Sequence, residues 1–290
     1  MEIRSQGRLM HKLAFLHLAA SSALSLASQA PPIFPQLSPS ASVSQTIGTT
    51  TVEVQYHRPA VRGRQIFGNL IPYGQVWRTG ANEATTIHFS DPVQVNGQKV
   101  AAGTYALFSI PYQDRWTVIL NKRARQQGAW EYDPREDVLR LDVKPKSVPH
   151  TEWLTYEIYP ASSATAYVDL YWEKLRVSLL IEVDVDEIVT ARMRKAMRER
   201  PSDWKLMSDA AEYCVDQEIH MGEALGWIER SIKLSEQPTN LSVKARLLYL
   251  HGDKAQAVQL LEKALSMAKA RKQGGAVTGP LEQMLQQWKK

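Results

Sequence analysis

Residues 57–83 read HRPAVRGRQIFGNLIPYGQVWRTGANE, and the fold is organised around them. The stretch holds four arginines (Arg58, Arg62, Arg64, Arg78), four glycines, two prolines and the aromatics Phe67, Tyr73 and Trp77. A structureless connection of this length is uncommon inside a compact domain and is usually either functional or disordered. This one is too apolar and aromatic for disorder.

Strand patterns flank it. TTVEVQYH (50–57) alternates, with Val52, Val54 and Tyr56 on one face and Thr51, Glu53, Gln55 and His57 on the other. Downstream, TTIHFSD (85–91) continues the alternation. Asn96-Gly97 between VQV and QKV is a hairpin signature. TYALFSI, WTVIL, DVLRLDV, TEWLTYEIY, TAYVDLYW and KLRVSLLIEV carry the series to Val183. About nine strands without intervening helices predict an antiparallel β-sandwich, jelly-roll-like, over residues 43–185. A second irregular segment, NKRARQQGAWEYDPRE, spans 121–136.

Near Asp186 the composition turns to Ala, Met, Leu and Glu, and residues 186–290 read as a smaller α-helical tail. Ser202 and Asp203 are N-cap candidates. Further helices are expected near 221–234, 241–251, 254–271 and 280–289, with Pro280 at a first helical position. EALGWIERSI and QAVQLLEKAL align Ala224 with Ala257, Ile228 with Leu261 and Ser231 with Ala264, an offset of 33 residues. That is near the tetratricopeptide period, although a generic pair of helical hairpins gives the same pattern. Trp227, Leu248 and Leu261 fit a hairpin core better than a peptide groove.

The first 27 residues read as a signal peptide: a basic segment through Lys12, the apolar run LAFLHLAASSALSLA, then small residues that suit cleavage near Ala27. Residues 28–42 read as a flexible Ser/Pro/Ala lead-in, and the expected location is exported, periplasmic or secreted. The apolar run is short for a membrane span, so none is expected after processing. Cys214 is the single cysteine, so stability rests on packing and not on disulfides. Of the formal net charge of +5, the N-terminal Arg4, Arg8 and Lys12 against Glu2 supply +2, and the remainder has no basic block of the kind nucleic acid requires.

SPSASVSQTIG (38–48), VQYHRPAVRGRQIFGNLIPYG (54–74), VWRTGANEATTIHF (76–89), NGQKVAAGTYALF (96–108) and WTVILNK (116–122) resemble the domain-of-unknown-function family 2911. The resemblance implies an exported bacterial protein with a β-sandwich and often a helical tail. It implies no activity and carries over no catalytic residue.

No nucleophile elbow, paired-histidine zinc motif, phosphate loop or dinucleotide fingerprint is present. Ser266 and Lys269 form an S-x-x-K inside a helix pattern without companion motifs, which reads as chance. His57, His88 and His150 lie on separate elements, and neither metal nor cofactor is called for. The candidate ligand-binding residues are therefore those of the central stretch: His57, Arg58, Arg62, Arg64, Tyr73, Trp77, Arg78, Asn82 and Glu83. Arginine suits bidentate recognition of carboxylate or phosphate. Arg62 and Arg64, two apart, would point the same way on extended backbone. Gly80 lets a ligand approach between Trp77-Arg78 and Asn82-Glu83.

The structural alternative is a plug, with Phe67, Ile71 and Trp77 closing the core. The arginines would then hold carbonyls and pair with Glu83, Glu53 or Asp91. Two function classes follow. One is a binding or assembly module, with the sandwich for a polar or anionic small molecule or glycan and the tail for a protein partner. The other is a hydrolase with Glu83 as general acid or base and the arginines as charge stabilisers. With no activated nucleophile or close carboxylate pair, the first is preferred.

Overall fold

A computed structural model describes residues 34–290. Every element below belongs to one compact unit, Leu37–Lys290. The predicted signal peptide lies outside the described residues.

Ten strands come first: β1 (Ser40–Ile47), β2 (Thr50–His57), β3 (Thr86–Phe89), β4 (Val93–Val95), β5 (Gln98–Val100), β6 (Gly103–Pro111), β7 (Trp116–Asn121), β8 (Asp137–Val143), β9 (Lys146–Pro160) and β10 (Thr165–Glu182). They form two antiparallel sheets, a six-stranded one ordered β1-β2-β3-β6-β7-β8 and a four-stranded one ordered β5-β4-β10-β9. The β4–β5 hairpin turns on Asn96-Gly97, both at positive φ, and leaves the first sheet to join the second. Val52, Val54, Tyr56, Ile87 and Phe89 face Leu154, Val168, Trp172, Leu179 and Ile181 in one apolar core between the sheets.

Two details of the sandwich depart from the sequence reading. Strand β1 begins inside the predicted lead-in. Its small side chains disguise an alternation in which Ala41, Val43, Gln45 and Ile47 are the more buried members. TAYVDLYW and KLRVSLLIEV are one strand, β10, and the charged Glu173 between them is no turn. Glu173 sits at φ +54 in a bulge of the β9–β10 ladder. The left-handed residue flips the phase, so Val168, Leu170 and Trp172 point inward before it and Val177, Leu179 and Ile181 after it, while the extra residues of the bulge lie on β9.

A satellite core lies on the other face of the six-stranded sheet. Ala106 and Phe108 alternate with the core-facing Tyr105 and Leu107, and pack with Ile119 and Ala84 beneath Ala129 and Tyr132 of the 122–136 loop. Phe108 and Tyr132 meet edge to face at 5.1 Å. Burial and the adjacent Asp137 carboxylate push the Tyr132 phenol up to about 12.

Six helices follow: α1 (Val185–Glu199), α2 (Trp204–Asp216), α3 (Met221–Leu234), α4 (Pro238–Leu250), α5 (Lys254–Ala270) and α6 (Gly275–Trp288). Asp184 caps α1 through the Glu187 N–H, and Asp203 caps α2 through the Leu206 N–H. Helix α6 begins five residues before Pro280, which sits inside it instead of at its start. Near the N-terminus its missing N–H costs one intrahelical bond only. Helices α2 to α6 pack each on the next. Ala224, Ile228 and Ser231 of α3 and Ala257, Leu261 and Ala264 of α5 are all fully buried, so the 33-residue offset superposes equivalent packing positions. Cys214 is a free thiol in the α2–α3–α4 core beside Ile228 and Leu247, and burial pushes its pKa up.

The helices are joined to the sandwich by more than the chain. Val185 and Ile188 pack on the sandwich core. Gly48, at φ +57 in the β1–β2 turn, lies against Val185 so closely that a Cβ there would come within 2.4 Å of its Cγ2. Arg192 of α1 donates to the Asp91 carboxylate at 2.6 Å. No helix among the described residues is long and apolar enough to cross a membrane.

Candidate functional site

The 57–83 stretch is tied to both sheets. Its first part continues along the β9 edge, where the Val61 N–H donates to Glu152 O at 2.8 Å and the Leu154 N–H to Pro59 O at 3.0 Å. Its later part pairs with β6, where Trp77 and Ser109 exchange both backbone bonds, at 2.7 and 2.8 Å. Between these ties Phe67 and Trp77 enter the core. Trp77 stacks on Trp172 at 5.7 Å, and Phe67 meets Trp116 edge-on at 4.9 Å. Ile71 packs against the same cluster. The plug geometry is therefore present.

The arginines do not make the acid pairs expected of them. Arg58 donates to the Leu154 carbonyl at 3.0 Å and the Thr155 hydroxyl at 2.7 Å. Arg64 donates to the Val61 and Ala60 carbonyls, at 3.0 and 2.6 Å. Arg62 reaches the Leu37 carbonyl at 3.4 Å, while its backbone N–H donates to Glu152. The three acids are engaged elsewhere: Glu83 with His57 at 3.4 Å, Glu53 with Gln55, and Asp91 with Arg192. The loop's carbonyls lie nearer to the guanidinium groups than the acids do, because the acids sit on strand faces and beyond a strand end. Arg62 and Arg64 are also not on extended backbone. Arg62 (φ +50) and Gly63 (φ +66) form a left-handed turn, and both arginines reach the same cleft by that route.

That cleft has a volume of about 420 Å³. Arg62, Arg64, Arg78 and Asn82 line it together with Leu70 and Ile71, and no carboxylate among the described residues does. Arg78 is half-buried, and its Nε is shielded from water and has no hydrogen-bond partner among the described residues. Burial lowers its pKa, so the charged form is held at a cost. Trp172, another lining residue, carries a second buried donor without a partner, its indole Nε1. The backbone here is strained: Arg62, Thr79 and Asn82 are all non-glycine residues at positive φ. Thr79 is held there by its hydroxyl on the Leu107 carbonyl at 2.6 Å and by Tyr156 donating to its own carbonyl at 3.2 Å. Strain of this kind clusters at ligand sites.

His57 and Glu83 belong to a different cleft, of about 700 Å³, on the outward face of the six-stranded sheet. Ser40, Ser42, Gln55 and Thr86 line its floor, and Arg125, Gln126 and Gln127 line a wall. Sequence reasoning missed these residues; the available signal was that all four floor residues hold outward positions of neighbouring strands. Arg58 and Tyr73 line neither cleft. Arg58 is turned to β9, and the Tyr73 ring covers Gly68, where a Cβ would meet its Cε2 at 2.7 Å. The nine predicted site residues are thus divided, five to the arginine cleft (Arg62, Arg64, Trp77, Arg78, Asn82) and two to the outer cleft. Among the described residues, no group of three or more His, Cys, Asp or Glu side chains is placed to hold a metal.

Comparison with known families decides what this scaffold is. Residues 38–181, from just before β1 to the end of β10, match the model described as protein of unknown function (DUF2911). The sandwich is a DUF2911 domain. No curated protein and no solved structure matches the chain. The matched segment contains the outer cleft and, apart from Leu37, the arginine cleft of the DUF2911 domain, whereas helices α1 to α6 lie beyond it.

Proposed function

We propose that the DUF2911 domain is a binding module for a small anionic molecule and that the arginine cleft is its site. The observation carrying this reading is Arg78, a partly desolvated cation whose buried Nε has no partner among the described residues, in a cleft that it shares with two more arginines and no described acid. An anion would supply the missing acceptor and offset the desolvation cost. The hydrolase alternative is weaker, because the acid Glu83 lines a different cleft from Arg62, Arg64 and Arg78. In this reading the consecutive hairpins of the tail offer the extended surface that a protein partner would use, and the basic, then apolar N-terminus directs export.

The test is a thermal-shift and calorimetry panel of phosphate, sulfate, citrate, succinate and sugar phosphates at low ionic strength. A true ligand at 100 times its Kd stabilises by about 2.7 kcal/mol. Its effect should shrink with added salt and fall to about half or less in Arg78→Met. Failure of every anion to raise the melting temperature overturns the reading.

A further inference from the structure

We infer that the outer cleft is a second site of different chemistry, one for a neutral carbohydrate. Strand register builds its floor. Ser40 faces His57 and Ser42 faces Gln55 across β1–β2, and Gln55 faces Thr86 across β2–β3. The Arg58 N–H donates to Pro39 O, which makes the neighbouring Ser40–His57 and Ser42–Gln55 pairs the non-hydrogen-bonded ones, with their side chains closest together. A row of hydroxyl, amide and hydroxyl therefore crosses three strands on one face. The wall adds the exposed amide of Gln127, whereas the buried Gln126 donates its own amide to Asn121 and to the Arg123 carbonyl.

The lining charges balance, with Arg125 against Glu83 and the Glu83 carboxylate beside His57. An anion is consequently not favoured here as it is at the arginine cleft. Amides and hydroxyls each donate and accept, which is what a polyol needs, since every one of its hydroxyls does both. A peptide fits less well. The apolar lining consists of Ala41, Ala84, Ala124 and the buried Tyr56, so nothing is present to receive a large side chain. The floor is also a sheet face and not a strand edge on which an extended chain could pair. Three residues beyond Gln127, on the loop anchored by Tyr132, the Trp130 indole is 88% exposed. An aromatic plane of that kind stacks on the C–H face of a sugar ring. The volume lies in the range of small-ligand sites and admits a short oligosaccharide.

Calorimetry with cellotetraose, maltotetraose, laminaritetraose and the tetramer of N-acetylglucosamine tests this on the full chain. At least one should bind, with an affinity that does not change with salt, because no net charge is involved. Combining Gln55→Ala with Gln127→Ala should weaken that binding at least about tenfold. Both side chains are exposed, so the melting temperature should hold, and Arg78→Met should leave sugar affinity unchanged. The inference is overturned if no tetrasaccharide binds at about 10 mM, if the double variant binds normally, or if a neutral peptide library occupies the cleft instead. Loss of sugar binding in Arg78→Met would place the sugar in the arginine cleft and overturn it as well.

Discussion

Arg78→Met and Arg58→Met should move stability in opposite directions, although both remove a half-buried arginine from the same loop. The Arg78 Nε has no acceptor among the described residues. A buried donor without a partner costs about 1–3 kcal/mol, and methionine keeps most of the apolar stem while removing that donor. Because the guanidinium is only partly buried, the lower end applies, and Arg78→Met should gain about 1 kcal/mol. For a chain of this size that is about 2–4 °C in Tm. Arg58 instead satisfies the Leu154 carbonyl and the Thr155 hydroxyl. Arg58→Met orphans both acceptors and should lose about 1–3 kcal/mol, or several degrees. Circular-dichroism melts of the two variants beside the wild type, in low-salt buffer without added anion, give the comparison. Calorimetry with the best anion should show Arg78→Met losing about ten- to a hundredfold in affinity, the value of one charge-assisted hydrogen bond. If Arg78→Met melts lower than Arg58→Met and no anion stabilises the wild type, Arg78 is structural and the reasoning fails.

Trp77→Ala removes the plug that stacks on Trp172, and should cost about 3–5 kcal/mol by chemical denaturation. Gly48→Ala forces a left-handed alanine against Val185; limited proteolysis between β10 and α1 should speed up relative to wild type. Burial pushes the Asp91 carboxyl up, but hydrogen bonds from Ser90, Arg192 and Thr50 outweigh it and hold the folded pKa below the ordinary 3.8. Its stabilisation is therefore complete above pH 3.8 and lost as the pH falls through the folded value. Asp91→Asn should lower Tm at neutral pH and flatten that acid limb of the Tm–pH curve. N-terminal sequencing of the protein from its native host should find a start close to Ser28; an intact Met1 on the mature protein would contradict export.

Most of the fold was legible because the signals were local. Val52, Val54 and Tyr56 alternate at the strand period, Asn96-Gly97 marks its hairpin, and Asp203 caps its helix. Strand β1 was not, since a strand of serine and alanine has no strong period, and its burial comes from what lies across from it. The Glu173 bulge looked like a turn because two charged residues in a row mark turns more often than phase flips. At the candidate site, composition identified the arginines but not their acceptors. Which carbonyl a guanidinium reaches depends on the path of the loop, and Arg62 takes a left-handed turn that no residue pattern announces. The outer cleft was harder still. Ser42, Gln55 and Thr86 are ordinary polar residues until strand register aligns them.

The lone thiol gives the helices a chemical clock of their own. Cys214 is fully buried in the α2–α3–α4 core, and the sequence has no other cysteine to confuse the signal. A thiol reagent can reach it only when those helices part, so the labelling rate in native buffer reads their opening free energy, tenfold slower for about every 1.4 kcal/mol. If the tail breathes independently of the sandwich, labelling should outpace global unfolding, and Gly48→Ala, acting at the junction, should leave the rate nearly unchanged. If the two open as one cooperative body through the Val185 and Arg192 contacts, the same substitution should accelerate labelling in step with its effect on Tm.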